Sequence, residues 1–189
     1  MRRLIVFNSV SLDGYFVDQN GDMSWAHVRD RDGDFNEFVQ GNASGGGELL
    51  FGRITYDLMA GYWPTPLAMK NDPVVAEGMN SLPKVVFSRT MEKAAWSNTR
   101  LVKGDPAGEV RKMKNAAGKG MVIMGSGSII SQLAQERLID EYQVVVIPVA
   151  LGQGRTMFDG MKEKLALKLT KSRVFGNGNV FLCYEPQQT

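Results

Sequence analysis

Residues 49–56 read Leu49-Leu50-Phe51-Gly52-Arg53-Ile54-Thr55-Tyr56, and this stretch decides the fold. Three apolar residues make a short buried strand and a glycine ends it. A helical stretch over 54–60 then begins with almost no loop between. A strand that turns directly into a helix is half of a β-α-β crossover, the unit that builds parallel sheets. The same turn brings the first free N–H groups of a helix together with the Arg53 guanidinium and the Thr55 hydroxyl, a combination suited to an anion. Two readings stay open on local grounds: a phosphate-binding turn, or a tight turn with a solvated arginine.

Outward from this segment the pattern repeats. Apolar, β-rich runs lie at 4–10, 85–87, 121–124, 142–149, 165–174 and 180–184. Between the early ones, helical spacing appears at 34–40, 73–79, 107–117 and 128–138, with Pro73 suited to a first helical turn. The last three strands have little helix between them, and Gly176-Asn177-Gly178-Asn179 reads as a hairpin turn. The expectation is one α/β domain over 1–189, with three layers, a mostly parallel central sheet and an antiparallel C-terminal hairpin.

The composition is that of an ordinary globular chain: 189 residues, 43% hydrophobic, 22% charged and a net charge of +2. This near-neutral balance, without a basic stripe interleaved with aromatics, argues against nucleic acid. The basic stretch Arg111, Lys112, Lys114, Lys119 reads as a solvated helix face. The longest apolar runs fall short of a membrane span or a leader core, so no membrane partner and a cytoplasmic location are expected. One cysteine, Cys183, allows no internal disulfide and reads as a buried strand residue. With one histidine, His27, no ordinary zinc site is expected, and neither a G-x-S-x-G elbow nor a G-x-x-x-x-G-K-[ST] loop is present.

Two further strand ends carry chemistry. After Val85-Val86-Phe87 come Ser88-Arg89-Thr90, and an arginine beyond a strand can take a ribose 2′-phosphate through paired hydrogen bonds; a plain turn is the local alternative. After Met121–Met124 come Gly125-Ser126-Gly127-Ser128, then Ile129-Ile130 in a helix. Here glycines admit a phosphate close to backbone N–H groups, although Ile130 stands where a full dinucleotide fingerprint has its last glycine. One phosphorylated dinucleotide accounts for all three turns, since open α/β sheets bind ligands at the carboxyl ends of their strands. Near the N-terminus, Asn8-Ser9-Val10-Ser11-Leu12-Asp13-Gly14 ends a strand in a polar turn. Asp13 is either a turn residue or a group facing the reacting end. Asp34 is either a helix N-cap or a substrate carboxylate. Trp63 and Trp96 look exposed, and either form an interface or pack internally.

The order of Ser11-Leu12-Asp13-Gly14-Tyr15, Gly52-Arg53-Ile54-Thr55-Tyr56, Val86-Phe87-Ser88-Arg89, Gly125-Ser126-Gly127 and Pro148-Val149-Ala150-Leu151-Gly152-Gln153-Gly154 resembles the dihydrofolate-reductase-like superfamily. The nearer likeness is to the C-terminal reductase domain of the bifunctional riboflavin-biosynthesis deaminase-reductase, over nearly the whole chain. The zinc-deaminase ligands of that enzyme's other domain are absent from this sequence. The resemblance implies NADPH as hydride donor. It assigns Arg53 and Thr55 to cofactor phosphates, Ser88 and Arg89 to the 2′-phosphate side, and Gly125, Ser126, Gly127 and Ser128 to the pyrophosphate. The nicotinamide would lie between Val10–Asp13 and Gly125–Ile130, which brings in Val10 and Ile129. Asp13 is the expected catalytic residue, with Val10, Trp25, Asp34 and Thr156 on the substrate side. The substrate class implied is a small heterocycle, with a ribosylaminopyrimidine first and a pterin or folate second. A nucleotide-binding module without turnover is the rival. The resemblance also implies a homodimer joined mainly through the C-terminal strands.

Overall fold

The computed structural model describes residues 1–27 and 33–187. Its centre is an eight-stranded sheet built from β1 (Leu4–Ser11), β3 (Glu48–Gly52), β4 (Lys84–Phe87), β5 (Thr99–Val102), β6 (Met121–Met124), β7 (Glu141–Ile147), β9 (Leu167–Val174) and β10 (Val180–Pro186). The strand order is β5-β4-β3-β6-β1-β7-β10-β9. The first six are mutually parallel, and β10 runs antiparallel to both β7 and β9. A second sheet pairs β2 (Tyr15–Asp18) with β8 (Gly154–Thr156) in antiparallel fashion.

Helices cover both faces. α5 (Pro106–Asn115) and α6 (Gly127–Gln135) pack on one, where Leu4, Val6 and Val10 of β1 meet Val110, Met113, Ile130 and Leu133. On the other, α2 (Arg53–Tyr62) and α4 (Pro73–Ser81) meet Leu49, Phe51 and Val86. Farther along this second face, α1 (Gly33–Ser44) sets Phe35 and Phe38 against Phe175 and Phe181. Alternation along each central strand therefore feeds two cores, which is why these strands read as continuous apolar runs. α3 (Pro66–Asn71) bridges α2 and α4.

Several expectations are corrected in detail. β5 begins Thr99-Arg100 and β8 is Gly154-Arg155-Thr156, so neither forms an apolar run, and the four-residue β2, Tyr15–Asp18, is a strand outside the expected runs. The helix expected from Asp34 starts at Gly33, which puts Asp34 inside the first turn. Trp96 is buried, with its indole N–H donated to Asn80 Oδ1 at 2.8 Å, and Trp63 is half-buried. Lys114 is not part of a solvated face: its ammonium is buried on the Leu138 carbonyl and the Asp140 carboxylate. Cys183 is a buried strand residue. No helix among the described residues is long and apolar enough to cross a membrane.

Candidate functional site

Because β4, β3, β6, β1 and β7 are parallel neighbours, their carboxyl ends open on one edge of the sheet. The turns there are Gly52-Arg53, Ser88-Arg89, Gly125–Ser128, Ser11–Gly14 and 148–152. Five segments far apart in sequence are thus gathered into one strip, where an open α/β sheet binds its ligand.

Two of these turns interlock. Ser126 accepts a hydrogen bond from the Gly52 N–H at 2.7 Å and donates its hydroxyl to Thr55 Oγ1 at 3.1 Å. Gly125 and Ser126 are both left-handed, each with φ near 63°. A Cβ on Gly125 would stand 2.5 Å from Thr55 Oγ1, and one on Gly52 would stand 2.5 Å from Ser126 Oγ and 3.3 Å from Ile129. The glycines are therefore required by close packing of one turn on the other. This packing brings the N-termini of α2 and α6 side by side, and no side chain caps either helix. Uncapped N–H groups at a helix start are donors that favour an anion.

The side chains divide into open and committed. Arg89 is exposed and has no ion-pair partner among the described residues, and Arg53 makes only an exposed pair with Asp57 at 3.3 Å. Both guanidiniums are open to solvent. Thr55 is buried and its hydroxyl holds Ser126, so it positions the turn. The Ser88 hydroxyl accepts from the N–H groups of Thr90 and Met91 at 3.3 and 3.0 Å, which shapes the turn that presents Arg89. Gly127 packs on Phe16 and the Thr156 carbonyl, so Thr156 borders the start of α6.

Asp13 holds a loop together. It accepts from the Ser11 hydroxyl at 2.6 Å, from the Leu151 N–H at 3.1 Å and from the Gly152 N–H at 2.7 Å. The Ser11 hydrogen bond, followed by the two backbone N–H groups, holds its carboxyl down at about 2. Asp13 is thus a fixed anion tying the turn after β1 to the loop after β7, and it has no proton to give at neutral pH. Asp34 pairs with Arg173 of β9, whose guanidinium also lies 4.8 Å from the Phe175 ring centroid. Trp25 donates its indole N–H to the Asp22 carbonyl at 3.1 Å and packs near Phe35 and Phe38. Val10 is buried in the core between β1 and α6. The site also includes a residue given no role from sequence: Asn8, buried on β1, accepts from the Gly125 N–H at 2.6 Å. A polar residue inside the alternating run Leu4, Val6, Asn8, Val10 was the available signal.

Glycine turns, uncapped helices and exposed arginines thus lie together at the strand ends, where open α/β sheets place a ligand. The family model described as RibD C-terminal domain matches residues 2–181, and the chain belongs to that family. It is 30% identical over 187 residues to the uncharacterized protein YyaP of Bacillus subtilis (strain 168), covering 97% of this chain and 94% of that protein. A solved structure of a putative riboflavin biosynthesis protein from Shewanella sp. PV-4 is 26% identical with a TM-score of 0.74, covering 98% and 99% of the two chains. The Thermotoga maritima diaminohydroxyphosphoribosylaminopyrimidine deaminase/5-amino-6-(5-phosphoribosylamino)uracil reductase shares the fold at 13% identity and a TM-score of 0.65. The match covers 98% of this chain and 57% of that longer one. The family match and the shared fold both extend over nearly the whole of this chain.

Proposed function

We propose that this chain is an NADPH-dependent reductase acting on a small, flat nitrogen heterocycle of the ribosylaminopyrimidine type. The observation that carries the reading is the convergence of two uncapped helix N-termini with the open Arg53 and Arg89 on one sheet edge. The donor set fits a dinucleotide: the starts of α2 and α6 would hold the pyrophosphate, with Gly125–Ile129 along it. Arg53 would add charge there, and the Ser88-Arg89 turn would take the 2′-phosphate. Bound NADPH supplies the hydride. The chain's own part is to fix the ring between the end of β1 and the start of α6, next to Thr156, and to keep the Asp13-tied loop in place. Trp25 borders the substrate side.

The test is loss of reduced-nicotinamide absorbance with purified protein and a panel of ribosylaminopyrimidines, pterins and small carbonyl compounds. Oxidation of NADPH with a ribosylaminopyrimidine is the expected result. Tight NADPH binding with no member of the panel reduced would favour a binding module without turnover.

The same reading includes a homodimer through the open face of β7, β10 and β9. Val180 pairs with Val146 and Val174, and Leu182 with Val144, so these apolar side chains share one face, at the edge of which Val174 is 72% exposed and Leu169 49%. A second copy laid on this face would bury the patch. Light scattering on the wild type and on Val174→Lys should give a dimer and a monomer; a monomeric wild type would remove this part of the proposal.

A further inference from the structure

We infer that Asn8 is a positioning residue that sets the shape of the phosphate turn and thereby the affinity for the pyrophosphate portion of the dinucleotide; this rests on the NADPH reading above. Asn8 occupies a core position on β1, in line with Leu4, Val6 and Val10, and is 4% exposed. A carboxamide there persists only if both of its ends are satisfied, and both are. Asn8 Oδ1 accepts from the Gly125 N–H at 2.6 Å, and Nδ2 donates to Met157 Sδ at 3.1 Å.

The position of this bond explains its use. The backbone pairing of β1 with β6 ends at Phe7 and Met124. Gly125 is the next residue, and its left-handed backbone turns it out of the ladder. Asn8 extends β1's reach by one side chain and gives that buried N–H the acceptor that the strand no longer offers. Anchoring Gly125 places Ser126, whose hydroxyl takes the Gly52 N–H at 2.7 Å. One amide on β1 thus fixes the start of α6 and, through Ser126, the start of α2. Asn8 lies behind the Gly125 turn and acts through it. No shorter or apolar residue at position 8 can supply the acceptor.

The experiment uses the full chain labelled with 15N-glycine, as wild type, Asn8→Ala and Asn8→Asp. It measures amide exchange at Gly125 and affinities for NADPH and for adenosine 2′,5′-bisphosphate, a probe without the nicotinamide half. In Asn8→Ala, Gly125 exchange should accelerate about 10-fold or more while Gly152, held by Asp13, is unchanged. NADPH should weaken about 10-fold or more, and the bisphosphate less than about 2-fold. Asn8→Asp keeps the acceptor and should hold affinity above the alanine variant, which also covers the case that Asn8→Ala fails to fold. Unchanged NADPH affinity in Asn8→Ala overturns this inference and leaves the reductase reading standing. Equal weakening of both ligands assigns Asn8 to general stability and also overturns it. A wild type that binds no NADPH overturns the reductase reading, and the ligand named here falls with it.

Discussion

At the amino edge of the central sheet, the charges that enter the protein are matched. Lys84 is buried at the start of β4, with its ammonium on the Leu82 and Asn80 carbonyls and 4.6 Å from the Trp96 ring centroid. Lys114 meets Asp140, Arg2 meets Glu48 at 2.7 Å, and Arg3 meets Glu141 and Glu185 at 3.0 and 2.8 Å. At the carboxyl edge the pattern reverses: α2 and α6 start uncapped, Arg89 has no ion-pair partner among the described residues, and Arg53 has only an exposed neighbour on its own helix. Both edges use the same residue types. Buried donors that are answered hold the strands in register, whereas open donors at a strand end favour an anion.

This contrast predicts that stability and binding separate by edge. The largest effect is expected for Gly125→Ala, which adds a Cβ 2.5 Å from Thr55 Oγ1 at a left-handed position. The left-handed backbone alone costs an alanine about 1–2 kcal/mol, and the clash adds to it, so NADPH affinity should fall roughly 100-fold or more. Isothermal titration checks this, and an unchanged affinity would break the interlocked-turn account. Next, Lys114→Met leaves the Leu138 carbonyl and Asp140 without their partner, and should lower unfolding free energy by about 2 kcal/mol. Urea unfolding measures that loss, while the affinity of the folded protein for NADPH should be unaltered.

A third, smaller effect depends on pH. Burial pushes the Lys84 ammonium down to about 8. Between about 8 and the ordinary lysine value near 10.4, the unfolded chain holds a proton that the folded protein has released, so wild-type stability gains as pH rises. Relative to Lys84→Met, the gain should be on the order of 2 kcal/mol by urea unfolding across that window; a flat difference would show that Lys84 stays charged in the fold. The smallest effect is expected for Asp13→Asn. With the folded carboxyl at about 2, its stabilisation is complete above about pH 4 and is lost as pH falls towards 2. Acid unfolding of the variant should therefore show a shallower pH dependence than wild type in that range, with NADPH affinity at neutral pH nearly unchanged.

The carboxyl edge was largely legible from sequence because its design is local. A glycine directly after an apolar run, followed by helical spacing, marks a β–α turn whatever lies elsewhere, and Gly52 and Gly125 both announce themselves this way. The side-chain partners were not legible, because they lie far along the chain. Asp13 reaches Leu151 and Gly152, Asp34 reaches Arg173, and Asn8 reaches Gly125. An Asp-Gly turn at 13–14 looks the same in sequence whether its carboxylate faces a substrate or ties down a loop. The short strands β5 and β8 escaped for a related reason, since their pairing comes from neighbours and not from their own composition.

The most direct test of the open-edge account is a fluorescence titration of wild type, Arg53→Ala and Arg89→Ala with NADPH and NADH. The account predicts that wild type prefers NADPH and that each variant loses about 10-fold or more of that affinity. It further predicts that Arg89→Ala loses the preference over NADH, with thermal stability barely moved because both side chains are exposed. Absence of NADPH binding at millimolar concentration, or equal binding by all three proteins, would contradict it.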